Sequence, residues 1–235
     1  MTPTLIMTRP RAQGEGFAAK VAEVWGKPLT VIPSPLIKIV WLDAKLETPD
    51  GLIFTSVNGV TAAKRMGLPK GLPAWCVGQK TAQAARDAGF DPTVGPGDAE
   101  GLIADVIAAN PLGKLAHMRG IHTRGDVCER LQSAGITCAD VIGYDQQAQT
   151  LNREAKIALG GNSPVIVPLF SPRTGMIFSA QGPYQTQVYA PVISAAVLDG
   201  LDPSLDASVF LAKRPDAEAM LEATVAALKA ATAST

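Results

Sequence analysis

Leu5-Ile6-Met7-Thr8-Arg9 and Leu115-Ala116-His117-Met118-Arg119 share one pattern, a short and largely apolar run closed by an arginine. Runs this short suit strands better than buried helices. Apolarity at successive positions suits a strand covered on both faces, as in a parallel sheet flanked by helices. Further runs follow at Leu52 to Phe54, Ala74 to Val77, Val165 to Phe170, Val188 to Val197 and Val209 to Ala212. Most lead into polar or glycine-containing turns and then Ala-rich amphipathic stretches, so the chain reads as a series of βα units.

The chain also resembles itself. The run at Leu5 opens a strand, helix, Gly26, strand unit ending near Ile39, and the run at Leu115 opens a similar unit through Gly135 to Gln147. A second type begins at Phe54-Thr55-Ser56 and recurs at Phe170-Ser171. It continues with Cys76-Val77-Gly78 against Val192-Ile193-Ser194, and ends with Asp98-Ala99-Glu100 against Asp216-Ala217-Glu218. The order is A, B, A′, B′, which points to a duplicated architecture. Two α/β domains can then form as A with B and A′ with B′, or with B and A′ as a continuous inner domain; periodicity does not choose. Ile32-Pro33-Ser34-Pro35-Leu36, extended by its prolines, and Gly143-Tyr144-Asp145-Gln146-Gln147 read as linkers.

The 235 residues allow one to two domains with a sizeable core. Lys plus Arg equals Asp plus Glu at 21 each, so no overall field draws in nucleic acid or an anionic membrane, and any anion site must be local. No stretch approaches a bilayer span, and the opening residues carry Arg9 and no apolar signal-peptide run, which argues against membrane insertion and secretion. The three cysteines, Cys76, Cys128 and Cys138, have no paired metal-ligand spacing. They read as core residues of a cytoplasmic protein, without a disulfide framework or structural zinc. With two histidines and no acidic cluster at ligand spacing, His117 reads as a strand residue with a local hydrogen bond, and no metal is expected. Gly97 and Gly101 make no dinucleotide fingerprint, so a nicotinamide cofactor is excluded.

Seven pieces occur in order along nearly the whole chain: Thr8-Arg9-Pro10, Ile53-Phe54-Thr55-Ser56, Val77-Gly78-Gln79-Lys80-Thr81-Ala82, Ala99-Glu100-Gly101-Leu102, Met118-Arg119-Gly120, Tyr144, and Phe170-Ser171-Pro172-Arg173-Thr174. With these the sequence resembles the uroporphyrinogen-III synthase family. The resemblance implies two similar parallel-sheet, flavodoxin-like α/β domains, joined by two crossing linker strands, with a ligand cleft between them. Residues 1–36 plus 147–235 would form the outer domain and 37–146 the inner one. It implies a monomeric cytoplasmic lyase that dehydrates and cyclises hydroxymethylbilane, inverting the terminal pyrrole, to give uroporphyrinogen III. It also implies no cofactor, and a transient contact with the preceding pathway enzyme. The rival from another class is a non-catalytic tetrapyrrole- or small-ligand-binding regulatory protein.

Such a substrate carries carboxylates on every pyrrole. The turns at Thr55-Ser56, at Gly78 with Lys80 and Thr81, and at Ser171 with Arg173 would offer helix N–H groups and hydroxyls to them. The same side chains also suit plain helix capping. Arg9, Arg119 and Arg173 stand at or just past strand ends, where guanidinium suits a planar carboxylate, or a surface ion pair. Tyr144, on the linker, is the candidate acid for the departing hydroxyl, or an aromatic packed between domains. The family's second Gly-x-x-Thr turn is replaced by Ser194-Ala195-Ala196-Val197, which removes a hydroxyl and supports the rival. Pro203 is expected to shorten or break the helix that follows this turn.

Overall fold

A computed structural model describes residues 2–122 and 126–233. Its elements begin with β1 (Thr4–Met7), α1 (Arg11–Trp25), β2 (Thr30–Pro33), β3 (Ile37–Trp41), β4 (Gly51–Phe54), α2 (Val57–Arg65), β5 (Pro73–Cys76), α3 (Gln79–Ala88), β6 (Asp91–Val94) and α4 (Ala99–Ala109). There follow β7 (Leu115–Gly120), α5 (Val127–Ser133), β8 (Cys138–Ala148), α6 (Arg153–Leu159), β9 (Val165–Ile166), α7 (Pro172–Ser179), β10 (Val188–Val192), α8 (Ala195–Leu198), β11 (Ala207–Leu211) and α9 (Ala217–Ala233). They divide into two compact units, Met1–Lys38 with Ala148–Thr235, and Ile39–Gln147. Residues 1, 123–125 and 234–235 of the two expected domains lie outside the described residues.

The first unit holds a five-stranded sheet in the order β11-β10-β9-β1-β2, parallel throughout. Its two faces are different clusters. Leu5, Met7, Phe17 and Val21 pack under α1 and α9, while Ile6, Val165, Val167 and Phe178 pack on the other side. The second unit has the order β3-β8-β7-β4-β5-β6. Leu52, Phe54, Ala116 and Met118 face α2 and α3; Ile53, Leu115, Leu102 and Leu131 fill the α4 and α5 side. Leu42 donates its N–H to Gly143 at 3.0 Å and Gln149 donates to Leu36 at 2.9 Å, so the chain runs antiparallel where β3 meets β8. Everything else in that sheet is parallel.

Numbered in chain order within its unit, the first sheet has the spatial order 2-1-3-4-5; the second has the same order when β3 at its edge is set aside and the A-type strands β7 and β8 are counted first, so the units differ in where the chain enters. In the first unit the A-type strands β1 and β2 come first. In the second the B-type strands β4, β5 and β6 precede the A-type strands β7 and β8. The order reverses between β1 and β9 in one sheet and between β7 and β4 in the other, and open α/β sheets bind ligands at the C-terminal side of such a reversal.

Two expected runs change. Only Val165–Ile166 of the run to Phe170 is strand, because Pro168 has no N–H for a ladder; Leu169 makes a single bridge to Val192. The run from Val188 stops at Val192 and turns into α8. That helix ends at Leu198, before Pro203. The edge strand β6 had no apolar run to announce it, since most of it faces solvent.

The cysteines need a correction. Cys128 of α5 and Cys138 of β8 form a disulfide, and Cys76 alone stays free and buried. The short α5 to β8 connection brings together two residues 10 apart in sequence, with Cα atoms 5.1 Å from each other. With this bond present, the cysteines no longer point to a reducing compartment. Among the described residues no helix is long and apolar enough to cross a membrane.

Helix α2 sits so close to β7 that a Cβ on Gly59 would lie 2.4 Å from the Met118 carbonyl oxygen. G59A must displace helix or strand backbone, and urea unfolding is expected to show a loss of about 1–3 kcal/mol. Gly16, inside α1, has nothing within 4 Å of such a Cβ. G16A should therefore gain about 0.5–1 kcal/mol from helix propensity. Equal stability of the two variants would contradict the close seating of α2.

Candidate active site

At the C-terminal end of β4 the strand period sends two adjacent hydroxyls to opposite faces of the sheet. Ser56 turns toward α2. Its Oγ accepts the Gly59 N–H at 3.3 Å, capping the helix, and lies 3.0 Å from Tyr144 Oη. Thr55 turns the other way, with Oγ1 3.2 Å from His117 Nε2. The His117 ring continues through Nδ1 to Asp140 Oδ1 at 2.9 Å, and the second Asp140 oxygen lies 2.8 Å from Arg119 Nε. Arg119 also donates from Nη1 to the Gly120 carbonyl at 3.1 Å. Four side chains thus form one chain of contacts from Thr55 to Arg119.

His117 is buried at 1% exposure. Its pKa is pushed below the ordinary 6.5 chiefly by burial; Asp140 opposes this through hydrogen bond and charge, and Arg119 adds to the lowering. The donor atoms of His117, Cys128 and Asp140 lie within 4.8 Å of one another. The Cys128 sulfur is already bonded to Cys138, so the trio is not a ligand set. Sequence reasoning gave His117 its strand and a hydrogen bond but missed Asp140. That partner is 23 residues away, and only the β7 to β8 register, His117 opposite Asp140, brings it there.

Tyr144 belongs to strand β8, is 6% exposed, and is fixed from two sides. Trp41 meets its ring edge-on at 6.1 Å, and Gly120 is so close that a Cβ there would lie 2.6 Å from ring carbon Cε2. The phenol oxygen is therefore held at the N-terminus of α2. Beyond Tyr144, Asp145 Oδ1 lies 3.5 Å from His122 Nε2, a further contact that no sequence pattern announced.

The turn after β5 is different. Gly78 is extended backbone at the start of α3, and a Cβ there would lie 3.4 Å from Gly97 Cα, so the close approach it permits is to the neighbouring turn. Thr81 is buried, with its N–H given to the Gly78 carbonyl at 3.1 Å, and its hydroxyl makes no hydrogen bond among the described residues. Lys80 is exposed. In the corresponding turn of the first unit the place of Thr81 is taken by Val197, fully buried. The missing hydroxyl has become core.

The first unit repeats the β4 to β7 arrangement between β1 and β9. Thr8, just past β1, donates to the Pro168 carbonyl at 3.2 Å. Arg9 stacks on Phe170 at 4.1 Å from the ring centroid and donates to Gln13 at 3.0 Å, and burial lowers its pKa. Ser171 caps α7 by accepting the Thr174 N–H at 3.2 Å, and the two hydroxyls are also bonded to each other. Arg173 is half-buried in the first turn of α7. Arg9 and Ser171 thus correspond to Arg119 and Ser56. A cavity of this unit, about 430 Å³ and bordered by Lys156, Leu159 and Tyr184, opens instead near the N-terminal ends of β9 and β10. It is remote from the strand ends where the candidate residues gather.

Fold and site define a class: paired α/β units whose strand-to-helix turns gather hydroxyls, arginines and helix N–H groups. A family model described as uroporphyrinogen-III synthase HemD matches residues 21–222. The chain belongs to the uroporphyrinogen-III synthase family, and is a lyase-type enzyme of tetrapyrrole biosynthesis. The fold is that of the uroporphyrinogen-III synthetase from Helicobacter pylori (17% identity, TM-score 0.68, 96% of this chain and 99% of that one). It is also similar to a mutant uroporphyrinogen III synthase from Thermus thermophilus (16% identity, TM-score 0.55, 97% and 100% of the two chains). No curated protein gives a significant sequence match.

Burial raises the Cys76 thiol to about 11, against a smaller opposite effect of Arg86. The thiolate is the reactive form, so labelling of the native protein by a thiol reagent is expected to stay slow up to pH 9 and become fast on unfolding. Rapid labelling of native Cys76 at pH 8 would contradict this.

Proposed function

We propose that Tyr144 protonates the departing hydroxyl of hydroxymethylbilane, and that Arg9, Thr55, Ser56, Gly78, Lys80, Thr81, Arg119, Ser171 and Arg173 supply the contacts that hold the substrate's carboxylates. The pyrrole nitrogen pushes its electron pair toward the terminal carbon, and the C–O bond breaks. The hydroxide leaves as water with the proton of the phenol. The electrophilic carbon left behind is attacked by the substituted carbon of the last ring. The resulting spiro intermediate fragments and recloses, which inverts that ring. Remote carboxylate contacts hold the conformer in which this attack comes first.

The observation that carries this reading is the hydrogen bond between Tyr144 and Ser56 at the N-terminus of α2. As the phenol gives up its proton, its oxygen becomes an acceptor for the Ser56 hydroxyl and lies beside the positive end of the helix dipole. A developing phenolate is stabilised there without rearrangement. Ser56 keeps the Gly59 N–H throughout, so capping and catalysis use the same side chain in compatible ways. The compartment we infer is the cytoplasm and the form a monomer in passing contact with the preceding pathway enzyme, in keeping with a small-molecule biosynthetic role.

Tyr144→Phe keeps the ring among Trp41 and Gly120 and removes only the proton donor. In an assay supplied with fresh hydroxymethylbilane, kcat is expected to fall by roughly 100-fold or less, because the pyrrole already lowers the barrier, while KM stays near the parent value. T81A should do the reverse and chiefly raise KM. A Tyr144→Phe enzyme with full kcat would reduce the residue to packing.

A further inference from the structure

The contact between Thr55 and His117 has a direction. Asp140 can only accept as a carboxylate, so the ring nitrogen 2.9 Å from it, Nδ1, carries the proton of the neutral imidazole. Nε2 is then a bare lone pair, and the Thr55 hydroxyl, 3.2 Å away, must spend its single proton on it. Toward anything else Thr55 presents only lone pairs, the wrong sign for a carboxylate. When His117 gains a second proton the bond reverses: Nε2–H donates to Thr55 Oγ1, and the hydroxyl proton is released to turn outward.

We propose that His117 is a positioning residue that converts Thr55 from acceptor to donor, so that carboxylate binding at the C-terminal end of β4 takes up one proton. This rests on the reading of Thr55 as a substrate contact. Few charges compete for control of the ring. From β8 it meets Asp140, and from its own strand Arg119, whose guanidinium is already engaged with Asp140 and the Gly120 carbonyl. From α5 it meets Cys128, which is disulfide-bonded to Cys138 and does not titrate. Thr55, beyond the end of β4, is neutral.

Burial, assisted by Arg119 and opposed by Asp140, keeps the ligand-free ring mostly neutral near pH 7. A bound carboxylate stabilises the protonated ring and raises its pKa in the complex. Affinity therefore falls as pH rises, by at most tenfold per pH unit between the free and bound pKa values.

The test combines histidine ¹⁵N NMR of the ligand-free enzyme, simplified because the chain has only 2 histidines, with KM and kcat for hydroxymethylbilane between pH 6.5 and 9. The spectrum is expected to show neutral His117 protonated on Nδ1. KM of the parent enzyme is expected to rise with pH by up to tenfold per unit. T55V should raise KM at low pH and lose that rise, and H117Q, with a permanent amide N–H near the Nε2 position, should flatten the profile while KM stays low. Neutral His117 protonated on Nε2 would overturn the proposal whether or not the variants fold. A T55V enzyme with weakened binding but the same pH slope would also overturn it while leaving Thr55 as a contact. T55V without effect on KM at any pH would remove the contact itself and the proposal with it.

Discussion

The parallel pairing of β4 with β7 is the constraint on which the second unit depends. It sets Ile53 against His117 and leaves Thr55 and Ser56 just beyond the hydrogen-bonded ladder, at the point where the strand order reverses. Alternation along a strand then gives each hydroxyl a different environment. One joins a helix N-terminus and a phenol, the other a buried imidazole and its carboxylate. The pairing tolerates little adjustment, because Gly59 brings α2 against the Met118 carbonyl and Gly143 has no room for a Cβ beside Ala62. A shift of one residue would exchange the two faces and dissolve both contacts.

The same arrangement appears at the β1 to β9 reversal, with different chemistry. Arg9 lies on an aromatic face where Arg119 lies against a carboxylate, and Ser171 bonds Thr174 where Ser56 bonds Tyr144. The two units share the positions of the hydroxyl and the arginine and differ in what each touches. Among its described residues the first unit has no counterpart of the phenol or of the His117 relay, which accords with assigning the proton chemistry to the second unit. Val197 shows the divergence most plainly, since a buried apolar side chain stands where Thr81 keeps a hydroxyl.

Much of this was legible in the chain, for local reasons. Strands buried on both faces appear as unbroken apolar runs, and the residues that follow them are the helix caps, so Ser56 and Ser171 could be named with their turns. Tyr144, Arg9 and Arg119 were found through the ordered resemblance of short motifs. The rest required strand register. Asp140 reaches His117 only through the alignment of β8 with β7, and the Cys128 to Cys138 disulfide depends on the placing of β8 as well. Edge strand β6 was invisible because a strand facing solvent needs no apolar run. Whether B joins A or A′ is a property of sheet order, and no local pattern carries it.

The central claim is that this chain closes hydroxymethylbilane with inversion of the last ring, and the isomer of the product reads that directly. Fresh hydroxymethylbilane supplied to the purified chain, with the uroporphyrinogens oxidised and separated by chromatography, should give the type III isomer in an amount that grows with enzyme concentration. Type I product alone, at the rate seen without protein, would contradict the account.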